Sequence, residues 1–108
     1  MLKIADKAAT RMEVRAAEAA LLLKALANEQ RLLILCHLAA EGELQVSALV
    51  ERIGLSQSAL SQHLARLREE ELVAYRRESQ ALFYRISDPK AAQVLALLQD
   101  IYCPELKA

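Results

Sequence analysis

The chain has 108 residues, of which 55% are hydrophobic and 4% aromatic, with two glycines and two prolines. This length suits one domain spanning residues 1–108, and the abundance of Leu and Ala indicates a mostly helical fold. Lys and Arg together number 14, as do Asp and Glu, so the formal net charge is zero. Overall charge therefore gives no electrostatic case for a nucleic-acid partner, and a DNA-binding surface would have to arise from local clustering.

The sequence also bears on cellular location. No apolar run approaches the ~20 residues of a membrane span, so no membrane partner is expected. Charged residues occupy the N-terminal place where an export signal needs its apolar segment: Lys3, Asp6, Lys7 and Arg11. These features predict a cytoplasmic protein. Its two cysteines are too few for a disulfide scaffold and are expected to be reduced by default.

Residues 5–27 predict a long first helix, because apolar residues recur at three- and four-residue steps along one stripe. The stripe comprises Ile4, Ala8, Met12, Ala16, Ala19, Leu23 and Leu26. It offers more apolar surface than one small domain needs. A dimer interface is therefore favoured over packing of the whole stripe onto the domain's own core.

A second and a third helix follow. Asn28 is a suitable N-cap for a helix over Glu29–Ala40, whose apolar residues lie nearly all round it and predict a central position. Gly42 stands in the place of a C-cap glycine. The third helix is short, at about Val46–Ile53, and Gly54 begins the turn after it.

A fourth helix, capped by Ser56, has two contrasting faces. Leu60, Leu64 and Leu67 form an apolar stripe. The other face carries short or amide-bearing side chains that can reach base edges and phosphates in a major groove: Ser56, Gln57, Ser58, Ser61, Gln62 and His63. Taken alone, a solvated polar face explains these residues equally well. Two short helices joined by a glycine-containing turn are, however, typical of a helix-turn-helix. Arg66 is a further candidate DNA contact on this helix.

Alternating apolar residues over 72–77 and 82–86 predict a β-hairpin with a polar turn at 78–80. A hairpin directly after a helix-turn-helix makes a winged version of the motif. Arg76, Arg77 and Gln80 near its tip are then expected against phosphates or in the minor groove. The alternative is an exposed hairpin whose arginines contact only solvent.

Asp88 and Pro89 predict a sharp start for a last helix, which extends to about Tyr102 and is apolar over a wide arc. With the first helix it predicts a homodimer with two-fold symmetry. Two reading helices would then lie about 34–36 Å apart on successive major-groove faces of a palindromic operator. The predicted fold class is mostly α (α+β): a winged helix-turn-helix of four helices, two strands and a fifth helix.

Two segments, ALANEQRLLILCHL and LSQSALSQHLARLREEELV, together with this order of elements, resemble the ArsR/SmtB family of bacterial repressors. The resemblance covers nearly the whole chain. It implies a dimeric repressor that binds operator DNA and releases it when an inducer arrives. It also implies that the polar residues of 56–63 read the DNA and that the wing arginines contact its backbone.

The usual metal sites of that family are not expected here. Many members bind metal through two thiolates in a Glu-Leu-Cys-Val-Cys-Asp-Leu motif of the third helix, where residues 43–49 read ELQVSAL. Other members use Asp and His on the last helix, and residues 88–103 contain no histidine. Zinc, cadmium and arsenic sites need several ligands converging on one point. Two cysteines and two scattered histidines do not supply them, so no metal or other cofactor is predicted.

Cys36 in the second helix and Cys103 just past the last one match the pattern of a persulfide-sensing branch of the same family. The matching segments are Ile-Leu-Cys36 and Ile-Tyr-Cys103-Pro. The resemblance implies that the pair reacts with persulfides, closes a disulfide or polysulfide bridge and releases the DNA of sulfide-detoxification genes. Thiol exchange itself requires an attacking thiolate and a resolving thiol within reach.

An inert pair is the alternative. A cysteine in an apolar helix is often only a small core residue, and a cysteine at a helix C-terminus gains nothing from the helix dipole. His37 points about 100° away from Cys36 around the helix, so it is not an obvious activating base.

Other functions also stay open. A metal- or oxidant-responsive repressor of the same fold is the alternative within DNA binding, and a winged helix that binds protein is the alternative outside it. Enzyme activity is not expected. The sequence has no glycine-rich phosphate loop, no acid pair on one face and no nucleophile beside a base in a recognisable motif.

Overall fold

The computed structural model describes the backbone of residues 4–106 and the side chains of residues 10–105. Within this range the helices are α1 (Ile4–Leu26), α2 (Glu29–Glu41), α3 (Val46–Ile53), α4 (Gln57–Glu69) and α5 (Pro89–Tyr102), with a 3-10 turn at Pro104–Leu106. The strands are β1 (Leu44–Gln45), β2 (Val73–Glu78) and β3 (Ala81–Ile86). The predicted winged helix-turn-helix is confirmed. The predictions on Lys3, Ile4, Asp6, Lys7 and Ala8 concern side chains outside the described residues.

Polar caps and glycines set the limits of the helices where the sequence predicts them. The side chain of Asn28 accepts a backbone N–H three residues on at 3.0 Å, and that of Ser56 does the same at 3.2 Å. The Asp88 carboxylate accepts a backbone N–H two residues on at 2.9 Å. Each cap satisfies a donor that a helix start leaves unpaired. Gly42 and Gly54 have φ of 86° and 83° at the ends of α2 and α3, where glycine is least strained.

The core is aliphatic, and α2 and α4 supply much of it. Six fully buried side chains come from these two helices: Ile34, Leu35, Leu38, Leu60, Leu64 and Leu67. Helix α2 contacts α1, α3, α4, α5 and β3, which confirms its predicted central position. Because the leucine stripe of α4 faces this core, the polar face of α4 is left on the outside.

The small sheet has one strand that was not predicted. Its order is β1-β3-β2 with antiparallel pairing throughout. Strand β1 pairs Leu44 with Tyr84, and its two residues are too few to show an alternating pattern in the sequence. The hairpin turn is also shorter than predicted, because Glu78 still pairs with Ala81. A two-residue turn needs a positive φ, which Ser79 adopts at 55°.

Most of the predicted α1 stripe does not pack on the core of its own chain. Met12 is 71% exposed and Leu23 is 56% exposed, whereas Leu26 is buried. On α5, Leu97 and Ile101 are likewise more than half exposed. These apolar surfaces are the ones from which the sequence predicts a dimer interface.

Leu64→Ala is expected to lower the free energy of unfolding by about 2–5 kcal/mol, because the α4 stripe would lose a fully buried side chain and leave a cavity. Urea denaturation at fixed protein concentration measures the change. Gln62→Ala, exposed on the same helix, is expected to stay within about 0.5 kcal/mol of the wild type. Equal losses in the two variants would contradict the assignment of Leu64 to the core.

Candidate functional site

The outer face of α4 is polar and accessible. Ser56, Gln57, Ser58, Ser61 and Gln62 are exposed, and His63 is half-buried. The hydroxyl oxygens of Ser56 and Ser58 lie 3.3 Å apart at the start of the helix. Hydroxyl and amide groups both donate and accept hydrogen bonds, so this face suits contact with base edges and phosphates.

A groove separates α4 from the wing, which is the hairpin formed by β2 and β3. The groove has a volume of about 560 Å³. Among the residues that line it are Gln57 and Ser61 of α4 and Gln80 of the hairpin turn. The structure therefore brings three predicted DNA contacts from two elements onto one surface.

Arg68 joins α4 to the wing. Its guanidinium donates to the Tyr84 hydroxyl at 3.3 Å and lies 5.2 Å from the centre of the Tyr75 ring. The two rings are 5.4 Å apart on paired strands. These contacts link α4 to both strands of the wing. The role of Arg68 depends on strand register, and an isolated arginine on a helix gives no signal of it in the sequence.

Arg76 is held by ion pairs and a ring contact. Its guanidinium binds Glu43 at 2.8 Å and Glu78 at 2.6 Å, and it lies 4.4 Å from the centre of the Phe83 ring. Hydrogen bonds to Glu43 and then to Glu78 raise the pKa of Arg76 above its ordinary value. The predicted contact of Arg76 with a phosphate therefore requires these ion pairs to open first.

Arg77 has a different environment from Arg76. It pairs with Leu82 in the hairpin register, so its side chain lies on the opposite face of the wing, the face that includes Tyr75. Both Arg77 and Gln80 are exposed. Because Tyr75 contacts Arg68 of α4, this face of the wing is the one turned toward α4.

Arg66 lies away from the groove that holds Gln57 and Ser61. It forms an ion pair with Glu70 at 3.6 Å. It also borders a separate cavity of about 370 Å³ that is lined in part by α1 residues, including Leu22. The structure thus does not bring Arg66 together with the groove residues.

The two cysteines border one apolar cavity of about 280 Å³ between α2 and the end of α5. Its lining residues are Glu29, Leu32, Leu33, Cys36, Leu98, Gln99, Tyr102 and Cys103. Both thiols are free and half-buried. The fold therefore brings together two cysteines from distant parts of the sequence.

Burial raises the pKa of the Cys36 thiol above its ordinary value, and the nearby Cys103 raises it further. Cys36 is thus mostly protonated at neutral pH, which lowers its reactivity as a nucleophile. His37 Nδ1 lies 3.9 Å from a carboxylate oxygen of Glu41, on the neighbouring turn of α2.

Two further observations concern metal binding and the ability of the helices to cross a membrane. Among residues 10–105, no three His, Cys, Asp or Glu side chains are placed to share a metal ion. None of the described helices combines the length and hydrophobicity needed to cross a membrane.

Comparison with known proteins identifies the family. Residues 28–75 match the bacterial regulatory protein arsR family. The transcriptional activator HlyU of Vibrio cholerae is 51% identical over 92 residues, which are 85% of this chain and 84% of that protein. The chain belongs to the ArsR family. The biofilm growth-associated repressor of Xylella fastidiosa is 45% identical over 96 residues, covering 89% of this chain and 83% of the relative.

Comparison with solved structures agrees with the assignment to the ArsR family. Reduced HlyU from Vibrio cholerae matches with a TM-score of 0.82 and 50% identity, covering 86% of this chain and 97% of that chain. This ArsR-family chain is therefore a DNA-binding transcriptional regulator and not an enzyme. Repressors of the family bind DNA operators, typically as dimers.

Glu43→Gln is expected to raise affinity for DNA about two- to fivefold, because Arg76 loses one carboxylate partner and becomes more available to a phosphate. The probe is DNA selected by the wild type from a random-sequence pool, and fluorescence anisotropy at fixed salt measures binding. Glu13→Gln, on exposed α1, is the control for the change in net charge. The same gain in an Arg76→Ala background would show that Arg76 is not the residue released.

Proposed function

We propose that this ArsR-family regulator is a homodimeric repressor that senses persulfides through Cys36 and Cys103. The observation that carries the proposal is the shared cavity, because both thiols border the same apolar space between α2 and α5. A sulfur bridge requires two thiols within reach of each other. These are the only cysteines in the chain, so an intramolecular bridge has one possible pair.

The relatives support a role for redox state. HlyU from Vibrio cholerae has been solved in a form described as reduced, so a redox state is distinguished for that protein. The chain is also 45% identical to a biofilm growth-associated repressor. Persulfide sensing and repression in this chain rest on those relationships together with the cysteine geometry.

The proposed chemistry needs no oxidant other than the persulfide. One cysteine thiolate attacks the outer sulfur of R–S–SH, the S–S bond breaks, and RS⁻ leaves behind a protein persulfide, Cys–S–SH. The second cysteine thiolate then attacks the inner sulfur of Cys–S–SH and expels HS⁻, which closes a disulfide. Sulfur transfer to both cysteines, followed by attack of one protein persulfide on the inner sulfur of the other, expels HS⁻ and closes a trisulfide.

A bridge between the cysteines would act on DNA binding through the helices that carry them. Helix α2 packs against α3 and α4, which form the helix-turn-helix, and α5 carries exposed apolar residues suited to a dimer interface. Linking α2 to the end of α5 would change the angle between the interface and the two reading helices. Such a two-state element couples a chemical signal to DNA affinity.

The proposed DNA contacts fall into two groups. Residues on the exposed side of α4 and the near face of the wing would contact a palindromic operator directly: Ser56, Gln57, Ser58, Ser61, Gln62, His63, Arg77 and Gln80. Arg66 and Arg76 would join them only after leaving the ion pairs that hold them in the free protein. The operator would control sulfide-detoxification genes. The regulator itself would act in the cytoplasm.

Glutathione persulfide is expected to bridge the wild-type cysteines and release DNA. Intact mass should show a loss of two hydrogens per subunit, with or without one added sulfur atom. Cys36→Ser and Cys103→Ser should form no bridge and stay bound to the selected DNA in an electrophoretic mobility shift. Bridging and release by hydrogen peroxide but not by the persulfide would indicate an oxidant sensor. The absence of a bridge with both reagents would refute sensing by this pair.

The pH dependence of Cys36 alkylation tests the environment of the thiol. In Cys103→Ser, the pKa of Cys36 is expected to fall toward its ordinary value without reaching it. Burial, the larger cause of the shift, remains in this variant, and only the interaction with Cys103 is lost. The rate of reaction with iodoacetamide should therefore rise with pH around a midpoint above that of the urea-unfolded protein. Equal midpoints in folded and unfolded protein would contradict the burial of Cys36.

A further inference from the structure

We infer that Gln99 is a positioning residue that holds Cys36 and Cys103 as a reactive pair. The inference deepens the proposed persulfide function and rests on it for its biological meaning. Gln99 lies in the last turn of α5, is half-buried, and borders the same cavity as the two thiols.

Gln99 contacts the backbone of both cysteines. Its side-chain Nε2 donates to the carbonyl oxygen of Cys36 at 3.3 Å. The backbone carbonyl oxygen of Gln99 accepts the backbone N–H of Cys103 at 2.8 Å. The two cysteines are therefore connected across the cavity through a single residue, over a path of two hydrogen bonds.

This connection matters most for Cys103. Cys103 is the C-cap of α5, with φ of −135° and ψ of 56°, and its backbone N–H still makes the helical bond to Gln99. Its place against α2 therefore depends on how the last turn of α5 is held to α2. The other α5 residues that line the cavity, Leu98 and Tyr102, offer apolar contacts. Apolar contacts are not directional, whereas a hydrogen bond restricts both distance and angle. The Gln99 amide is thus the contact that can set the separation of the thiols.

The Cys36 carbonyl can accept the Gln99 amide in addition to its helical partner, because a carbonyl oxygen has two lone pairs. Within a helix one of them serves the helical hydrogen bond, and the second remains for a side chain. An amide donor left unpaired beside apolar side chains is unfavourable. Both facts favour a persistent bond between α5 and α2 at the sensing cysteine itself.

The test uses dibromobimane, which contains two alkyl bromide groups. One cysteine thiolate displaces the first bromide ion, the second thiolate displaces the other, and strong fluorescence appears only after the second displacement. The second step therefore reports how well the two thiols are placed, without any persulfide. Gln99→Met keeps the side-chain size and removes the donor, and Gln93→Met, exposed on the same helix, is the matched control.

Gln99→Met is expected to close the bimane bridge about fivefold more slowly than wild type, the order of magnitude of one neutral hydrogen bond. The first alkylation should change less than twofold, and Gln93→Met should match wild type in both steps. Gln99→Glu, which has the same shape and faces the Cys36 carbonyl with an acceptor, should slow closure at least as much. Thermal unfolding of each variant checks that the fold is intact.

Equal closure rates in Gln99→Met and Gln93→Met would overturn the inference, as would the absence of cross-linking in wild type. A parallel slowing of both alkylation steps with a lower Tm would assign Gln99 a purely structural role and overturn it too. Persulfide treatment of the same samples separates the two proposals. A wild type that cross-links with dibromobimane but forms no sulfur bridge would refute persulfide sensing and leave the positioning role of Gln99 standing.

Discussion

The burial of α2 against five neighbouring elements is the constraint on which the rest of the structure depends. Ile34, Leu35 and Leu38 are almost completely excluded from solvent, and burial of each such side chain contributes about 1.5–3 kcal/mol. Helix α2 cannot shift without disturbing the helix-turn-helix, the wing or α5. Cys36 lies on this helix, at the edge of the core. A covalent change at Cys36 would therefore act on an element that contacts both the helix-turn-helix and α5.

The zero net charge of the chain has a structural counterpart in paired charges. Arg52 binds Glu41 at 2.6 Å, and Arg76 binds the carboxylates of Glu43 and Glu78. Exposed ion pairs of this kind add little stability, but they reduce the positive potential that a DNA phosphate meets. Under the proposed function, affinity for DNA would then depend on the few cations for which the described residues provide no ion-pair partner, such as Arg77. Under the proposed function, the hydrogen-bonding groups of α4 would assume a correspondingly larger share of recognition.

Local features of the fold could be predicted from the sequence, and features that depend on tertiary register could not. The caps at Asn28, Ser56 and Asp88 act within three residues of themselves, so their sequence pattern suffices. Arg68 and Gln99 act across elements, and their roles become visible only when strand pairing and helix packing are known. The proximity of Cys36 and Cys103 also depends on helix packing. Family resemblance suggested it, and no spacing rule could have derived it.

In the proposed mechanism, the length of the sulfur bridge determines how far the end of α5 would move. A disulfide requires Cα atoms about 4.4–6.8 Å apart, whereas each added sulfur relaxes that limit. Because α5 is a candidate interface helix, a displacement of its last turn would change the spacing of the two α4 helices in the proposed homodimer. Those helices would have to match grooves about 34–36 Å apart. Contacts made by hydroxyl and amide groups are lost over shifts of about 1 Å. In the proposed mechanism, a small movement at the cysteine cavity would therefore be sufficient to weaken recognition of DNA at a distance from it.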